Sequence, residues 1–191
     1  MAKLADKVAI VTGCSPNIGA ALALALAEEA ATVACVDLNP TYATKCAEVI
    51  EQGRGGSIIT LISTEGHQGY PGSVGYGTAK SGLLNFTRSV AMELAEHRIR
   101  VNSLSPTATD PAEGVDRARE WGLDWQAHSE VRGPGFPPGE IGVPLGHRPS
   151  PRHYGPAAVF LASDDAEMIT GFDLRVDAGT VAKYWRWMPG Y

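Results

Sequence analysis

The 191-residue chain has few cysteines, no long apolar run and no excess of positive charge, and each shortage excludes a class of protein. Its three cysteines lie neither in a CxxC pair nor beside a histidine at ligand spacing, which favours reduced thiols in a cytoplasmic protein over a disulfide framework or a metal site. No apolar run approaches the roughly 18 residues that a membrane helix needs, so we expect no membrane partner. Sixteen basic against twenty-one acidic residues give a net charge of −5, which argues against a nucleic-acid partner.

What remains is the composition of an ordinary folded protein, with 44% hydrophobic and 19% charged residues. Because domains typically span about 100–200 residues, we expect residues 1–191 to form a single domain. Most of the prolines lie between residues 106 and 152. This stretch predicts a long excursion with one short helix, which is typical of a lid over a substrate site.

Strands and helices alternate along the chain. A buried strand at residues 8–12 ends at a glycine-containing turn, a helix follows at residues 20–30, and a second buried strand follows at residues 31–37. Such a βαβ unit pairs its strands in parallel. The remaining predictions are helices at residues 41–52, 75–95, 111–121 and 155–163, and strands at residues 57–63, 99–104 and 173–177. The pattern predicts an α/β domain with a parallel sheet.

The first turn between a strand and a helix carries the features of a phosphate site. Gly13 opens the turn and Gly19 lets the helix pack closely on the strand, while the N–H groups and the dipole at the helix N-terminus favour an anion. Asp37, 18 residues after Gly19, can accept hydrogen bonds from both ribose hydroxyls of NAD and would repel the additional phosphate of NADP. NAD is therefore the expected cofactor. The glycines alone are equally compatible with a tight turn that only packs a helix.

Three polar side chains form a second candidate constellation. Tyr76 and Lys80 are four residues apart on a predicted helix and share a face, and Ser63 ends a strand thirteen residues before Tyr76. A tyrosine has a pKa of about 10 in isolation, and a neighbouring ammonium lowers it toward neutral pH. Tyr76 can then exchange a proton with an alcohol or ketone oxygen that Ser63 holds by a hydrogen bond. The alternative is an exposed helix pair and a serine that merely ends a strand.

These residues resemble the short-chain dehydrogenase/reductase family. The stretch from Thr12 to Gly19 matches the cofactor turn of the family, Ser63 with Tyr76-x-x-x-Lys80 matches its active site, and residues 98–106 and 169–179 match its later strands. The resemblance implies a Rossmann-like, doubly wound parallel sheet, an NAD(P)-dependent alcohol dehydrogenase or carbonyl reductase, and a homodimer or homotetramer. It implies the following cofactor-binding residues: Gly13, Ser15, Asn17, Ile18, Gly19, Asp37, Tyr76, Lys80, Pro106, Thr107 and Thr109.

The sequence departs from the family pattern at single positions. Asn17 stands where the family usually has glycine, and we expect asparagine to tolerate a left-handed backbone there. Thr107 replaces the glycine of a Pro-Gly element near the nicotinamide. The following residues are about one position short of the pattern, and Thr109 is the best match to a threonine near the carboxamide. Ala178 replaces a glycine in the last strand motif.

The largest departure is a short middle. Only 26 positions separate Asp37 from Ser63, where the family places two more βα units of about 30 residues each. The chain therefore predicts a sheet shortened by about two βα units. A five-stranded sheet whose strand order reverses beside the first strand is topologically allowed. The alternative is a gap in the middle of the sheet, which leaves unpaired backbone groups on both neighbouring strands.

Aromatic residues outside these motifs have two interpretations each. Trp121, Trp125 and Phe136 either form an apolar substrate cover or pack a loop onto the domain. The tail at residues 183–188 favours subunit packing over substrate contact, because interfaces are rich in tryptophan, tyrosine and arginine.

Two functional hypotheses follow. The first is an NAD-dependent oxidoreductase that interconverts a small secondary alcohol and its ketone with Ser63, Tyr76 and Lys80. The second is a truncated, catalytically silent relative that binds a nucleotide weakly or only forms subunit contacts. The intact constellation favours the first hypothesis, and the short middle favours the second.

Overall fold

A computed structural model describes residues 2–5, 7–36, 57–124 and 143–183 of the chain. The helix expected at residues 41–52 lies outside the described residues, as do Asp37, Trp125, Phe136 and the tail from Tyr184 onward.

The described elements agree with the sequence patterns to within two residues at each end. The strands are β1 (Val8–Thr12), β2 (Thr32–Val36), β3 (Ser57–Leu61), β4 (Arg100–Pro106) and β5 (Asp173–Val176). The α-helices are α1 (Ile18–Glu28), α2 (Val74–Leu94), α3 (Ala112–Glu120) and α4 (Gly155–Ala162). Within the described ranges, none of these helices is both long enough and apolar enough to cross a bilayer.

The strand ladders are parallel, as the alternating pattern predicts. β1 pairs with β2, with Val8 opposite Thr32. β4 pairs with β3 on one side and with β5 on the other. The fold is a Rossmann-like α/β arrangement, shorter than that of a full-length relative.

Of the two outcomes that the sequence allows, the strands that the structure describes show the interrupted sheet. β1 and β3 approach within 8 Å between Cα atoms, but no ladder joins them. At its closest, this spacing is narrower than the roughly 10 Å that an intervening strand would need. An apolar cleft follows the gap and is lined by Ile10, Leu26 and Ile59 among others.

One hydrophobic core joins the two sheets from a single side. α1 packs against α4, and Leu26 of α1 and Leu104 of β4 belong to the same buried cluster. A Cβ atom at Gly155 would lie 2.8 Å from the Cβ of Ala25, so the two helices meet where neither side chain extends beyond a methyl group. α2 packs on β4 outside this cluster and buries only Thr87 and Ala91.

The core predicts a large difference between two helical positions. The Leu26→Ala variant should lose about 2–5 kcal/mol of unfolding free energy, because Leu26 is 3% exposed in the core. Met92→Ala should change it by less than about 0.5 kcal/mol, since Met92 is 79% exposed. Urea unfolding followed by circular dichroism measures both values, and equal losses would contradict the assignment of the core.

Candidate active site

The turn after β1 requires glycine at two positions. Gly13 has a φ of 74°, in the left-handed region that favours glycine. A Cβ atom at Gly19 would lie 1.8 Å from the carbonyl oxygen of Gly13, so no other residue fits there. The backbone of the turn therefore packs directly against the backbone at the start of the helix. Neither Gly13 nor Gly19 places a side chain in the space that a ligand would occupy.

The helix that follows the turn begins without a side-chain cap. α1 starts at Ile18, and its N-cap residue Asn17 makes no side-chain capping bond. The N–H group of Ala20 donates to the oxygen of Ser15 at 3.1 Å, and that of Ala21 donates to the oxygen of Asn17 at 3.2 Å. The uncapped first turn offers N–H groups and the positive end of the helix dipole to an anion.

The expectation of a left-handed Asn17 is wrong. Its φ is −88°, and Gly13 alone supplies the left-handed conformation within this turn. The backbone at this position does not require the positive φ that would favour glycine. Its Oδ1 atom is buried and has no hydrogen-bond partner among the described residues.

Sequence reasoning missed Arg117, which lies beside this turn. From α3, its Nη1 donates to the carbonyl oxygen of Pro16 at 2.6 Å and lies 3.4 Å from that of Asn17. A guanidinium retains its charge at any physiological pH, so the helix places a permanent positive charge next to the start of α1. Nothing in the local pattern around Arg117 indicates this contact, because the two segments are about a hundred residues apart in the chain.

These features fit the phosphates of a dinucleotide. Two glycines remove side chains, an uncapped helix N-terminus offers N–H donors, and Arg117 adds positive charge. Asp37 lies outside the described residues, so its contact with a ribose stays a prediction.

Ser63 lies at the end of the other sheet, two residues after β3. It is 8% exposed and is the N-cap of a 3₁₀ turn at Thr64–Gly66. Its Oγ accepts a hydrogen bond from the N–H group of Glu65 at 3.2 Å. The backbone thus occupies an acceptor site of the hydroxyl, and its proton can be donated to a substrate oxygen.

Tyr76 and Lys80 lie on the first two turns of α2 and share a face, as their spacing predicts. The Nζ atom of Lys80 is 5.6 Å from the centroid of the Tyr76 ring, which is within reach of a cation–π contact. The same atom donates to the carbonyl oxygen of Leu61 at 2.8 Å, two residues before Ser63. Tyr76 is 50% exposed, so its ring is accessible from solvent.

The carbonyl that Lys80 binds faces the gap in the sheet. The N–H group of Ile62 donates to Leu104 of β4, and backbone groups of successive residues in a strand point to opposite sides. The Leu61 carbonyl therefore points away from β4, toward the open edge of β3. Lys80 supplies the donor that a neighbouring strand would otherwise provide.

Two glycines allow the turn after Ser63 to pack closely against α2. A Cβ atom at Gly66 would lie 3.1 Å from the carbonyl of Lys80, and one at Gly77 would lie 3.3 Å from the oxygen of Glu65. The structure therefore brings Ser63, Tyr76 and Lys80 onto adjoining elements that touch through their backbones.

The residues after β4 form a network of hydroxyl groups. Thr107 is 8% exposed, and its Oγ1 donates to Oγ1 of Thr180 at 3.2 Å and lies 3.4 Å from that of Thr64. Pro106 ends β4 opposite Val176 of β5. Thr107, in place of a glycine, fastens β4 to the serine turn and to the segment after β5.

The side chain of Thr109 forms hydrogen bonds within the protein. Its Oγ1 donates to the carbonyl oxygen of Thr107 at 2.9 Å and lies 2.8 Å from the hydroxyl of Tyr154. Burial raises the pKa of Tyr154, and the hydrogen bond with Thr109 partly opposes that shift. The structure gives Thr109 an architectural contact, and its expected contact with a carboxamide stays a prediction.

The structure decides between the two interpretations of one lid residue. Trp121, the C-cap of α3, is partly buried and packs against the main core cluster. It fastens the excursion to the domain. Trp125 and Phe136 lie outside the described residues.

Comparison with known proteins identifies the family. Residues 41–181 match the family model described as enoyl-(acyl carrier protein) reductase. The chain belongs to the short-chain dehydrogenase/reductase family. The match confirms the resemblance that the serine, tyrosine and lysine motif predicts.

Relatives within the short-chain dehydrogenase/reductase family differ in their substrates. The chain is 36% identical over 132 residues to the (−)-isopiperitenol/(−)-carveol dehydrogenase of Mentha piperita, covering 69% of this chain and 46% of the relative. It is 32% identical over 155 residues to the 3-oxoacyl-[acyl-carrier-protein] reductase of Chlamydia trachomatis, covering 80% of this chain and 56% of the relative. The chain thus spans about half the length of the curated relatives it matches.

The solved structure of carveol dehydrogenase from Mycobacterium avium in complex with NAD is similar in fold. It aligns with a TM-score of 0.74 and 20% sequence identity, covering 96% of this chain and all of that chain. At this identity the likeness shows the Rossmann-like fold alone.

Substitution of Gly19 tests the phosphate turn. We expect Gly19→Ala to weaken NADH binding by at least about tenfold, because the added methyl group collides with Gly13 and forces the turn open. NADH fluorescence titration measures the affinity, and thermal unfolding reports whether the variant stays folded. Gly69→Ala is the matched control, since a Cβ there meets nothing within 4 Å. An unchanged affinity in a folded Gly19→Ala variant would refute the turn as the binding site.

Proposed function

We propose that the protein is an NAD-dependent oxidoreductase that interconverts a secondary alcohol and its ketone. The observation that carries the proposal is the joint placement of Ser63 and Lys80. The Glu65 N–H group binds the Ser63 hydroxyl, and Lys80 reaches the Leu61 carbonyl two residues earlier while lying over the Tyr76 ring. The relatives support the reaction class, because a carveol is a secondary alcohol and a 3-oxoacyl group carries a ketone.

Each of the three side chains has a distinct role in the proposal. Ser63 donates a hydrogen bond to the substrate oxygen, keeps its own proton, and so holds the reacting carbon in place. Tyr76 gives a proton to that oxygen during ketone reduction and takes it back during alcohol oxidation. The ammonium of Lys80 stabilises the phenolate form of Tyr76. The nicotinamide, when bound, supplies or accepts the hydride.

Cofactor binding would use both sheets. Gly13, Gly19 and the start of α1 would hold the phosphates with Arg117 adjacent, and Lys80 would bind the ribose next to the nicotinamide. Asp37, at the expected end of the second strand, would bind the adenine-side ribose and favour NAD over NADP.

The exposed side of α2 supports a proposal of self-association. Val74 is 80% exposed and Phe86 is 51% exposed on a helix that buries only two of its residues. Large apolar side chains that stay exposed on a helix are a feature of many protein interfaces. A homodimer or homotetramer formed by copies of this chain would cover them.

Replacing the tyrosine tests the chemistry. We expect Tyr76→Phe to reduce kcat by at least about 100-fold, because phenylalanine cannot transfer the proton. Secondary alcohols such as carveol and cyclohexanol, screened with NAD by absorbance of the NADH formed, provide the assay. Tyr70→Phe is the control, since Tyr70 is equally exposed at 49% and has no assigned role.

The outcomes separate the two functional hypotheses. Equal turnover by wild type and Tyr76→Phe would refute the mechanism. NADH binding without turnover of any alcohol or ketone by the wild type would favour the catalytically silent relative.

A second substitution tests cofactor choice. Asp37→Ala should reduce the ratio of NAD to NADP efficiency about tenfold, because it removes charged hydrogen-bond acceptors for the ribose and the repulsion of a phosphate. Steady-state kinetics or titration with both cofactors gives the ratio. Glu167→Ala removes an exposed carboxylate that lies far along the chain from Asp37 and should leave the ratio unchanged. A ratio that stays the same in Asp37→Ala would remove the proposed role.

A further inference from the structure

A second polar cluster lies behind the serine turn, on β4 and β5. The Nε2 atom of His67 is 3.1 Å from Oγ of Ser105 and 3.0 Å from Oδ2 of Asp173. Oδ1 of Asp173 accepts hydrogen bonds from Ser103 at 2.6 Å and from Ser105 at 2.9 Å. The side chains of His67 and Asp173 are only 18% and 12% exposed, and both serines are buried.

The hydrogen bonds fix where the protons are. A serine hydroxyl has one proton, and that of Ser105 is donated to Asp173. The Ser105 oxygen therefore accepts a hydrogen bond from His67, and Nε2 of His67 must carry the hydrogen. The result is a chain of donors from His67 through Ser105 to Asp173, with the second carboxylate oxygen held beside the same imidazole nitrogen.

This arrangement is not a nucleophilic triad. In such a triad the serine gives its proton to one histidine nitrogen and the aspartate binds the other. Here a single nitrogen of His67 contacts both partners, and Ser105 donates to the carboxylate. The cluster holds the His67 side chain in one orientation, and it does not activate Ser105 as a nucleophile.

The cluster is joined to the catalytic serine by one short turn. Ser63 and His67 are the two caps of the 3₁₀ turn at Thr64–Gly66. Inside it, the N–H group of Gly66 donates to Ser63 at 2.9 Å and that of His67 donates to Thr64 at 3.0 Å. A turn this short moves as one unit, so fixing its last residue on β4 and β5 also fixes its first.

We propose that His67 is a positioning residue for Ser63. The hydrogen bond of His67 to Ser105 and its 3.0 Å contact with Asp173 anchor the end of the turn, and the turn keeps the Glu65 N–H group on the Ser63 hydroxyl. The proposal rests on the proposed function for its effect on turnover, but the anchoring itself can be measured without turnover.

The kinetic test compares variants that differ in one contact. His67→Phe should lower kcat with NAD and carveol about tenfold and leave the KM for NAD unchanged, because Ser63 loses its orientation while the phosphate turn is untouched. His67→Gln keeps a donor in place of Nε2 and should recover kcat to within about threefold of wild type. Ser103→Ala is the matched control, since Ser103 contacts the same carboxylate but not His67.

A double-mutant cycle identifies the residue through which His67 acts. In the Ser63→Ala background, His67→Phe should have no further effect on kcat, because the group that it positions is gone. An undiminished tenfold loss in that background would overturn the proposal. So would equal losses of kcat in His67→Phe and Ser103→Ala.

Amide hydrogen exchange by NMR reads the anchoring directly. The Glu65 amide, which Ser63 protects in the wild type, should exchange at least about tenfold faster in His67→Phe. Its exchange rate in Ser103→Ala should equal that of the wild type. If His67→Phe does not fold, Ser105→Ala breaks the same link and should give the same result. Unchanged exchange at Glu65 would refute the positioning role. Faster exchange in a protein that turns over no alcohol would leave the anchoring established and count against the proposed function alone.

Discussion

The packing of α1 against α4 holds the rest of the structure together. No ladder joins β1 to β3, so the two sheets keep their relative position through the core cluster that Leu26 and Leu104 share. The glycine-containing turn after β1 belongs to one sheet, and the turn that begins at Ser63 belongs to the other. Apolar packing has no direction of its own, and the close approach of Ala25 and Gly155 supplies the registration that hydrogen bonds would supply in a continuous sheet.

Much of the fold could be predicted from the sequence, since the signals are local. Apolar β-branched runs gave the strands, alanine and leucine gave α1, and the spacing of Tyr76 and Lys80 gave their shared face. The order of strands and the parallel pairing followed from alternation. The interrupted ladder was one of two open outcomes, because the pattern shows how many elements exist but not how far two strands are apart.

The parts of the site that escaped prediction depend on contacts between distant segments. Arg117 reaches Pro16 across about a hundred residues, and nothing in the sequence around Arg117 indicates that partner. Nothing in the sequence around His67 indicates its partners Ser105 and Asp173, because both lie on strands much later in the chain. Asn17 was correctly placed in the turn, but its backbone conformation depends on how Gly13 and Gly19 meet, which only coordinates show.

The hydrogen bond between Lys80 and the Leu61 carbonyl gives the lysine ammonium two roles. It belongs to a motif associated with proton transfer, and it also closes an exposed backbone acceptor at a sheet margin. In a related chain without catalytic activity, an apolar residue in place of this lysine would still leave the Leu61 carbonyl without a hydrogen-bond donor. Persistence of the lysine in such shortened chains would therefore reflect architecture as well as chemistry, and retention of the neighbouring phenol would be the better sign that selection still acts on turnover.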